Sequence, residues 1–325
     1  MTASDPALPL QAALPAFEVG IEPPDLAPWR EGNTGIPGFT SHAADAAGPH
    51  VLLLALMHGN EFAGAIVLDR LLRAKLRPLR GRLTLGFANL AAFDSFDAAN
   101  PTASRFVDED LNRLWDPALL DGGRSCVELA RAREIRPAVE AADVVLDLHS
   151  MLWPSDPLIL SGATARGRCL AEAIGAPGLV VADRGHCDGP RLIDHPRFAS
   201  DDGTARALLV EAGQHWEAAT VEMAAACVAG LLHHLGLSRT NPTPPVGQVA
   251  VRRSAEVTQV VTAQSAGFTF VRGFRGGEVI AHRNTLIALD GTIEIRTPHD
   301  DCLLVMPSLR PSRGHTAVRL ARFVA

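Results

Sequence analysis

Cysteine is scarce in this chain of 325 residues, and long runs of any one character are absent. The five cysteines, Cys126, Cys169, Cys187, Cys227 and Cys302, are scattered and form no CxxC pair. That excludes a disulfide framework and a cysteine-rich zinc site, and it points to a reducing, cytoplasmic compartment. Each cysteine reads as a small core residue or a free thiol. The chain also lacks a basic run, and its formal net charge is −6. Phosphate backbones are bound by concentrated Lys/Arg surfaces, so nucleic acid is not an expected partner. An overall negative charge does not forbid an anionic substrate, which a local arginine cluster can still hold. The apolar stretch from Val51 to Met57 is far too short to cross a bilayer. The opening MTASDPALPLQAALPAFEVG has neither the basic n-region nor the apolar h-region of a signal peptide, so no membrane association is expected. No internal repeat or low-complexity tract is evident.

What is present is the profile of a globular protein, 47% hydrophobic and 20% charged, long enough for one large domain or a large and a small one. VLLLALM (51–57) reads as a buried strand and FAGAIVLDRLLRAK (62–75) as a helix, with Phe62, Ile66, Leu68, Leu71 and Leu72 near helical spacing. RLTLGFANL (82–90) and ADVVLDLHS (142–150) are further strands. Between them RSCVELARAREIRPAVEAA (124–142) is helical, with Pro137 either kinking it or dividing it. PLILSG, GLVVAD and RALLVEAG supply short strands, with a helix at 164–174. EAATVEMAAACVAGLLHHLGL (217–237) is the clearest long helix. Strands alternating with helices predict an α/β domain, a mixed and largely parallel sheet flanked by helices on both faces. NPTPPVG (241–247) reads as a linker, and the glycine-punctuated β-type runs beyond it as a smaller C-terminal β-rich domain. The expected division is a catalytic α/β domain over 1–245 and the β-rich domain over 246–325.

Ligands of open α/β sheets gather beyond the carboxyl ends of strands. Two predicted strands end there in chemically useful residues: VLLLALM runs into His58-Gly59-Asn60-Glu61, and VVLDLHS carries Asp147, His149 and Ser150. Two histidines and a glutamate form a common catalytic zinc set that leaves a position for water. A tight turn would let His58 and Glu61 face one ion, and Gly59 suits such a turn. Asp147 could orient His149 or serve only the fold. An HxxE pattern alone is common and more often structural; its place at a strand end, with DLHS ending a second strand, favours a metal. DLHS is not a serine-hydrolase site, because its residues are too close in sequence to align as nucleophile, base and orienter, and the chain has no GxSxG elbow. RFVDEDLNRLW (105–115) could be a solvated loop, yet Arg105, Asn112 and Arg113 offer what a substrate carboxylate needs.

In order and spacing, His58-Gly59-Asn60-Glu61, Asp110-Leu111-Asn112-Arg113, Asp147-Leu148-His149-Ser150 and Glu211 in LLVEAG resemble the zinc carboxypeptidase-like hydrolases, and within them the succinylglutamate desuccinylase/aspartoacylase family. The resemblance extends to about residue 240, and the β-rich tail is similar to that family's C-terminal domain. It implies one Zn2+ ion held by His58, Glu61 and His149. It implies Glu211 as the proton carrier between water and leaving amine, Arg105 at the developing oxyanion, and Asn112 with Arg113 on the substrate carboxylate. The activity so implied is hydrolysis of the amide bond of an N-acyl amino acid. A metallocarboxypeptidase acting on short peptides and a non-catalytic metal-binding relative are the rival readings. The expected partner is the small-molecule substrate, with self-association into a homo-oligomer left open.

The chain departs from the family in two places. Aspartoacylase draws a pocket tyrosine from its C-terminal domain, and this sequence has none. The corresponding segment resembles TPHDDCLLVMP (297–307), which makes His299, Asp300 and Asp301 candidates for the entrance. A second carboxylate-binding arginine has three candidates, Arg191, Arg197 and Arg206. Trp153 is either a wall of the site or a core aromatic. His186-Cys187, His195 and the His233-His234 pair read as ordinary loop and helix positions, and RGFRGGEV (272–279) as turn glycines rather than a phosphate loop.

Overall fold

The buried runs of the sequence become the middle of one broad sheet. The computed structural model describes residues 15–185, 188–240 and 252–324. The expected linker at 241–247, the boundary at 245/246, and His186 and Cys187 lie outside the described residues. The strands are β1 (Phe39–Ala43), β2 (His50–Ala55), β3 (Arg82–Phe87), β4 (Val144–Met151), β5 (Leu158–Leu160), β6 (Leu179–Ala182) and β7 (Arg206–Gln214). The C-terminal region adds β8 (Arg253–Thr262), β9 (Phe268–Phe270), β10 (Val279–Ile280), β11 (Leu286–Asp290), β12 (Ile293–Arg296), β13 (Cys302–Val305) and β14 (Thr316–Val324). Eleven of them form one sheet in the order β1-β3-β2-β4-β7-β5-β6-β8-β14-β13-β10. The β3-β2-β4-β7 centre is parallel, whereas β1, β5 and the outer C-terminal strands bring antiparallel neighbours. The sheet is therefore mixed α/β, as expected.

Burial on both faces explains why the central strands show no polar alternation. Along β2, Val51, Leu53 and Ala55 enter one apolar cluster, while Leu52 and Leu54 enter the cluster on the opposite face. The first cluster includes Leu68, Leu170 and Val221, from the helices Ala63–Arg73, Ala165–Ile174 and Ala218–His234. The second includes Leu129 and Ile135 from the helix Val127–Ala141, which runs undivided through Pro137. Among the described residues, no helix is long and apolar enough to cross a membrane.

The C-terminal β region does not stand wholly apart from the large sheet. β8 pairs in parallel with β6, and β14, β13 and β10 continue outward from it. A separate antiparallel sheet, β12-β11-β9, packs through a third apolar cluster that holds Phe268, Ile287, Leu304 and Leu320. This continuity brings C-terminal side chains toward the carboxyl ends of β4 and β7.

Strand β2 ends at Ala55, two residues before the apolar run does. Leu56 takes φ 61°, a left-handed conformation that breaks the pleat and starts the turn carrying His58 to Glu61. The helix that follows lies hard against β4. A Cβ on Gly64 would sit 2.6 Å from Leu148 Cβ. Gly64→Val is accordingly expected to destabilise the fold by about 1–3 kcal/mol through overpacking. A chemical denaturation curve measures this, and unchanged stability would show that the helix can shift at no cost.

Candidate functional site

The parallel register places the chemistry. On β4 and β7, His149 is directly opposite Glu211. On β2 and β4, Ala55 is opposite Leu148, so the turn after β2 emerges beside His149. Gly59 serves that turn by allowing close approach. A Cβ there would meet backbone atoms of Ala92, Phe93 and Ser104 at 2.3–2.5 Å, and its N–H donates to Arg105 O at 3.1 Å. The left-handed residue of the turn is Leu56 instead.

His58, Glu61 and His149 are all buried, and their donor atoms lie within 4.8 Å of one another. Each histidine gives its outer nitrogen to a carboxylate: His58 Nε2 to Asp110 Oδ1 at 2.9 Å, and His149 Nε2 to Asp147 Oδ2 at 2.8 Å. An ionised carboxylate can only accept, so each ring aims its Nε2 side at an acid and turns Nδ1 inward, where loss of a proton would free a lone pair. His58 Nδ1 lies 2.8 Å from Glu61 Oε1 without hydrogen-bond geometry, and it is a buried nitrogen with no partner. His149 Nδ1 is 3.1 Å from Glu61 Oε2. Lone pairs that converge in this way fit a divalent cation that accepts nitrogen and oxygen donors. Asp147 thus meets the ring of His149.

Charge fixes the protonation pattern. Burial pushes the Glu61 carboxyl up, but His58 and His149 overcome it and hold the group well below its usual range. Burial likewise opposes charge on His149, yet Asp147 and Glu61 keep that ring protonated well above the ordinary histidine range in the metal-free protein. Asp110 is half-buried, and His58 and Arg105 hold it far below the usual carboxylate range. Glu211 behaves oppositely: burial lifts it to about 8, helped by the nearby charge of Glu61, and its Oε2 has no hydrogen-bond partner.

Arg105 borders the cluster, donating from Nη1 to Glu61 Oε1 at 2.9 Å and from Nη2 to Asp110 Oδ2 at 3.0 Å. Asp110 therefore joins Arg105 to His58. Asn112 is buried, and its Oδ1 accepts from Leu192 N at 2.8 Å, which leaves the amide NH2 as the donor it can offer the cavity. Arg113 lies beside it, with Nη1 on Asn112 O at 2.7 Å and Asp110 only at 3.9 Å. His58, Glu61, His149, Glu211, Arg105, Asn112 and Arg113 all line one cavity. Trp153 walls it as well.

Other expected positions fall elsewhere. His299, Asp300 and Asp301 do not line the cavity. His299 Nε2 is 3.0 Å from Thr258 Oγ1, and Asp300 accepts from Arg283 N. The same segment reaches the cavity later, through Met306 (φ 50°), Pro307 and Ser308. Arg197 is fastened to Ala142 O, and Arg206 begins β7 at the end away from Glu211. Arg191 does line the cavity. His195 packs against Trp115, and His233 and His234 are exposed. Gly276 and Gly277 pack tightly on Ser155 and Asp156, a turn position.

Four features have no weight in the linear reading: the Ser150 Oγ···His215 Nδ1 contact of 2.7 Å and Arg319, which line the cavity, and Asp110 and Asp183, which bond to residues lining it. Burial drops His215 to about 4, so its ring is neutral. The signal for Arg319 was a lone cation inside the apolar run AVRLA of β14. A second group of donors, Asp108, Cys126 and Glu128, is structural. Glu128 accepts from the backbone of Val107, Asp108 and Glu109, while Asp108 and Cys126 accept from the start of the following helix.

Two outcomes follow for the metal-free protein. Glu211 binds its proton more tightly folded than unfolded, so its stabilisation is present below about 4.5 and is lost as pH rises through about 8. His149, raised as well, acts in the same direction, while the depressed His215 opposes them only up to about 6.5, so the Tm of chelator-treated protein should fall from pH 6.5 to pH 8. A flat or rising Tm would contradict the burial of Glu211. Asp147→Asn should weaken divalent-metal binding about 10–100-fold in chelator competition; unchanged affinity would make the aspartate purely structural.

Residues 47–166 match the model of the succinylglutamate desuccinylase/aspartoacylase catalytic domain. A succinylglutamate desuccinylase of Pseudoalteromonas atlantica is 33% identical over 135 residues, which is 37% of this chain and 36% of that relative's length. The match thus spans about a third of that protein. Among solved structures, succinylglutamate desuccinylase from Vibrio cholerae is similar at TM-score 0.67 and 18% identity, covering 88% of this chain and 85% of that one. A succinylglutamate desuccinylase/aspartoacylase from Rhodobacter sphaeroides gives 0.65 at 20% identity, covering 88% and 89%. The product-bound ectoine utilization protein EutE (DoeB) from Ruegeria pomeroyi gives 0.61 at 19% identity, covering 88% of each chain. At these identities the structural likeness concerns the fold.

Proposed function

We propose, from the match of residues 47–166 to the succinylglutamate desuccinylase/aspartoacylase catalytic-domain model, that the chain is a zinc-dependent amidohydrolase that removes the acyl group from an N-acyl amino acid. The observation that carries the proposal is the pair of carboxylate-tethered histidines facing Glu61, with the unpartnered carboxyl of Glu211 on the next strand.

His58 Nδ1, Glu61 and His149 Nδ1 would hold the ion. A zinc ion so bound supplies Lewis acidity, polarising the scissile carbonyl and making water acidic near neutral pH. Glu211 takes the proton of the attacking water and delivers it to the leaving amine nitrogen, the step that a poor leaving group requires. Its carboxyl sits above the usual range in the metal-free site, and a neighbouring cation favours the ionised form that accepts a proton. Arg105, at the rim of the cluster, offers its guanidinium to the charge that develops on the carbonyl oxygen. Asn112 and Arg113 hold the substrate carboxylate, one as a neutral donor and the other as a planar cation.

The metallocarboxypeptidase reading fares worse because Met306, Pro307 and Ser308 wall the cavity from the C-terminal side. That wall suits a small acyl amino acid better than a long peptide. A purely metal-binding role leaves the buried, unpartnered Glu211 without a purpose.

Amine release by the zinc-loaded protein, measured over N-acetyl and N-succinyl amino acids and short peptides, should be confined to an acyl amino acid. Cleavage of the peptides would transfer the case to the carboxypeptidase. Glu211→Gln should still bind zinc while kcat falls about 10²–10⁴-fold; unaltered turnover would remove Glu211 from the mechanism.

A further inference from the structure

The chain that carries Glu211 keeps working past that carboxyl. Just beyond the end of β7, His215 and Trp216 are both buried, and Trp216 takes φ 63°. A bulky side chain in the left-handed region is an outlier, and it persists only where its surroundings over-determine it. Here they do. Gly20 N–H donates to Trp216 O at 3.0 Å, and the indole packs against the rings of Phe17 and Phe96. So held, the indole N–H donates to Asn60 O at 2.9 Å, inside the turn from His58 to Glu61.

That turn has few other anchors. Among the described residues, the backbone of 58–61 makes two bonds to segments distant in sequence: Gly59 N–H to Arg105 O at 3.1 Å, and Asn60 O to the indole. His215 reaches the other ligand-bearing segment. Its N–H donates to Met151 O at 2.8 Å, and its Nδ1 lies 2.7 Å from Ser150 Oγ. Ser150 in turn gives its backbone N–H to Glu61 Oε2 at 3.1 Å. Two consecutive residues therefore grip both segments at once, one beside His58 and Glu61, the other beside His149.

We propose that Trp216 and His215 are positioning residues of the metal site, a clamp that fastens the turn bearing His58 and Glu61 to the strand end bearing His149. The proposal rests on the metal-site half of the proposed function, and it requires neither residue to touch the ion or the substrate. A carbonyl released from the indole lets the turn drift, and a donor set whose spacing drifts loses affinity for its ion. The left-handed backbone at Trp216 is the conformation that aims the indole at Asn60.

The test is metal binding by the full chain, stripped with chelator and reloaded with Zn2+ or with Co2+, whose visible absorption reports coordination geometry. Trp216→Phe keeps an aromatic ring and removes the N–H. At a temperature where the variant is fully folded, its Zn2+ affinity in chelator competition should fall about 10–100-fold, with an altered Co2+ spectrum. His215→Leu should weaken Zn2+ by about tenfold. His215→Asn, whose amide can stand where Nδ1 meets Ser150, should recover most of that loss; this pair decides the matter if Trp216→Phe does not fold. A lowered Tm with unchanged Zn2+ affinity and an unchanged Co2+ spectrum in the variants would make both residues purely structural and overturn the clamp. Wild type that binds neither ion would overturn the metal site and the clamp together. The expected losses of affinity in a protein that hydrolyses no acyl amino acid would refute the amidohydrolase reading and uphold the clamp.

Discussion

Two carboxylate–imidazole contacts govern the centre of this molecule. Asp110 on His58 and Asp147 on His149 each take the outer ring nitrogen, and each thereby turns the inner nitrogen toward Glu61. Without them the two rings could rotate or exchange tautomers, and their inner nitrogens would no longer be held toward Glu61. The cost is the burial of several ionisable groups side by side. Such a cluster is tolerable only because each charge meets an opposite one, and the chain meets this condition with Arg105 bridging Glu61 and Asp110.

The sheet supplies the precision that those contacts require. His149 and Glu211 stand opposite each other because two parallel strands, β4 and β7, hold a register that burial on both faces cannot let slip. A shift of one residue would put Leu208 and Leu209 on the wrong clusters and turn Glu211 away. The turn after β2 is held in place by absence as much as by contact. Gly59 leaves room for the backbone of Ala92, Phe93 and Ser104, and Gly64 lets the next helix settle on Leu148. Stability and chemistry are thus specified by the same apolar strands.

The C-terminal region contributes in a way that its composition alone would not suggest. Its strands continue the main sheet through β6 and β8, and this carries Met306 and Arg319 to the cavity wall. Asp183, at the end of β6, then ties Arg319 to Arg191 across the junction. A region expected to narrow an entrance also bears a cation aimed inward.

Local residue order determined a good deal. The unbroken apolar runs specified buried strands, and the polar residues at their ends pointed to His58, Glu61 and His149, whereas Glu211 is singled out from other strand-end glutamates only by the family resemblance. RFVDEDLNRLW offered Arg105, Asn112 and Arg113 as donors suited to a carboxylate, and the family resemblance supplied their expected roles. Tertiary structure alone decided which cations share the cavity. Arg191, Arg197 and Arg206 were equivalent in sequence, and only their partners separate them: Arg197 is spent on Ala142 O, Arg206 sits at the far end of β7, and Arg191 meets Asp183. Arg319 lies 108 positions beyond Glu211, and no spacing rule reaches that far. Its place follows from strand pairing at long range, a property of the packed sheet that no local pattern encodes.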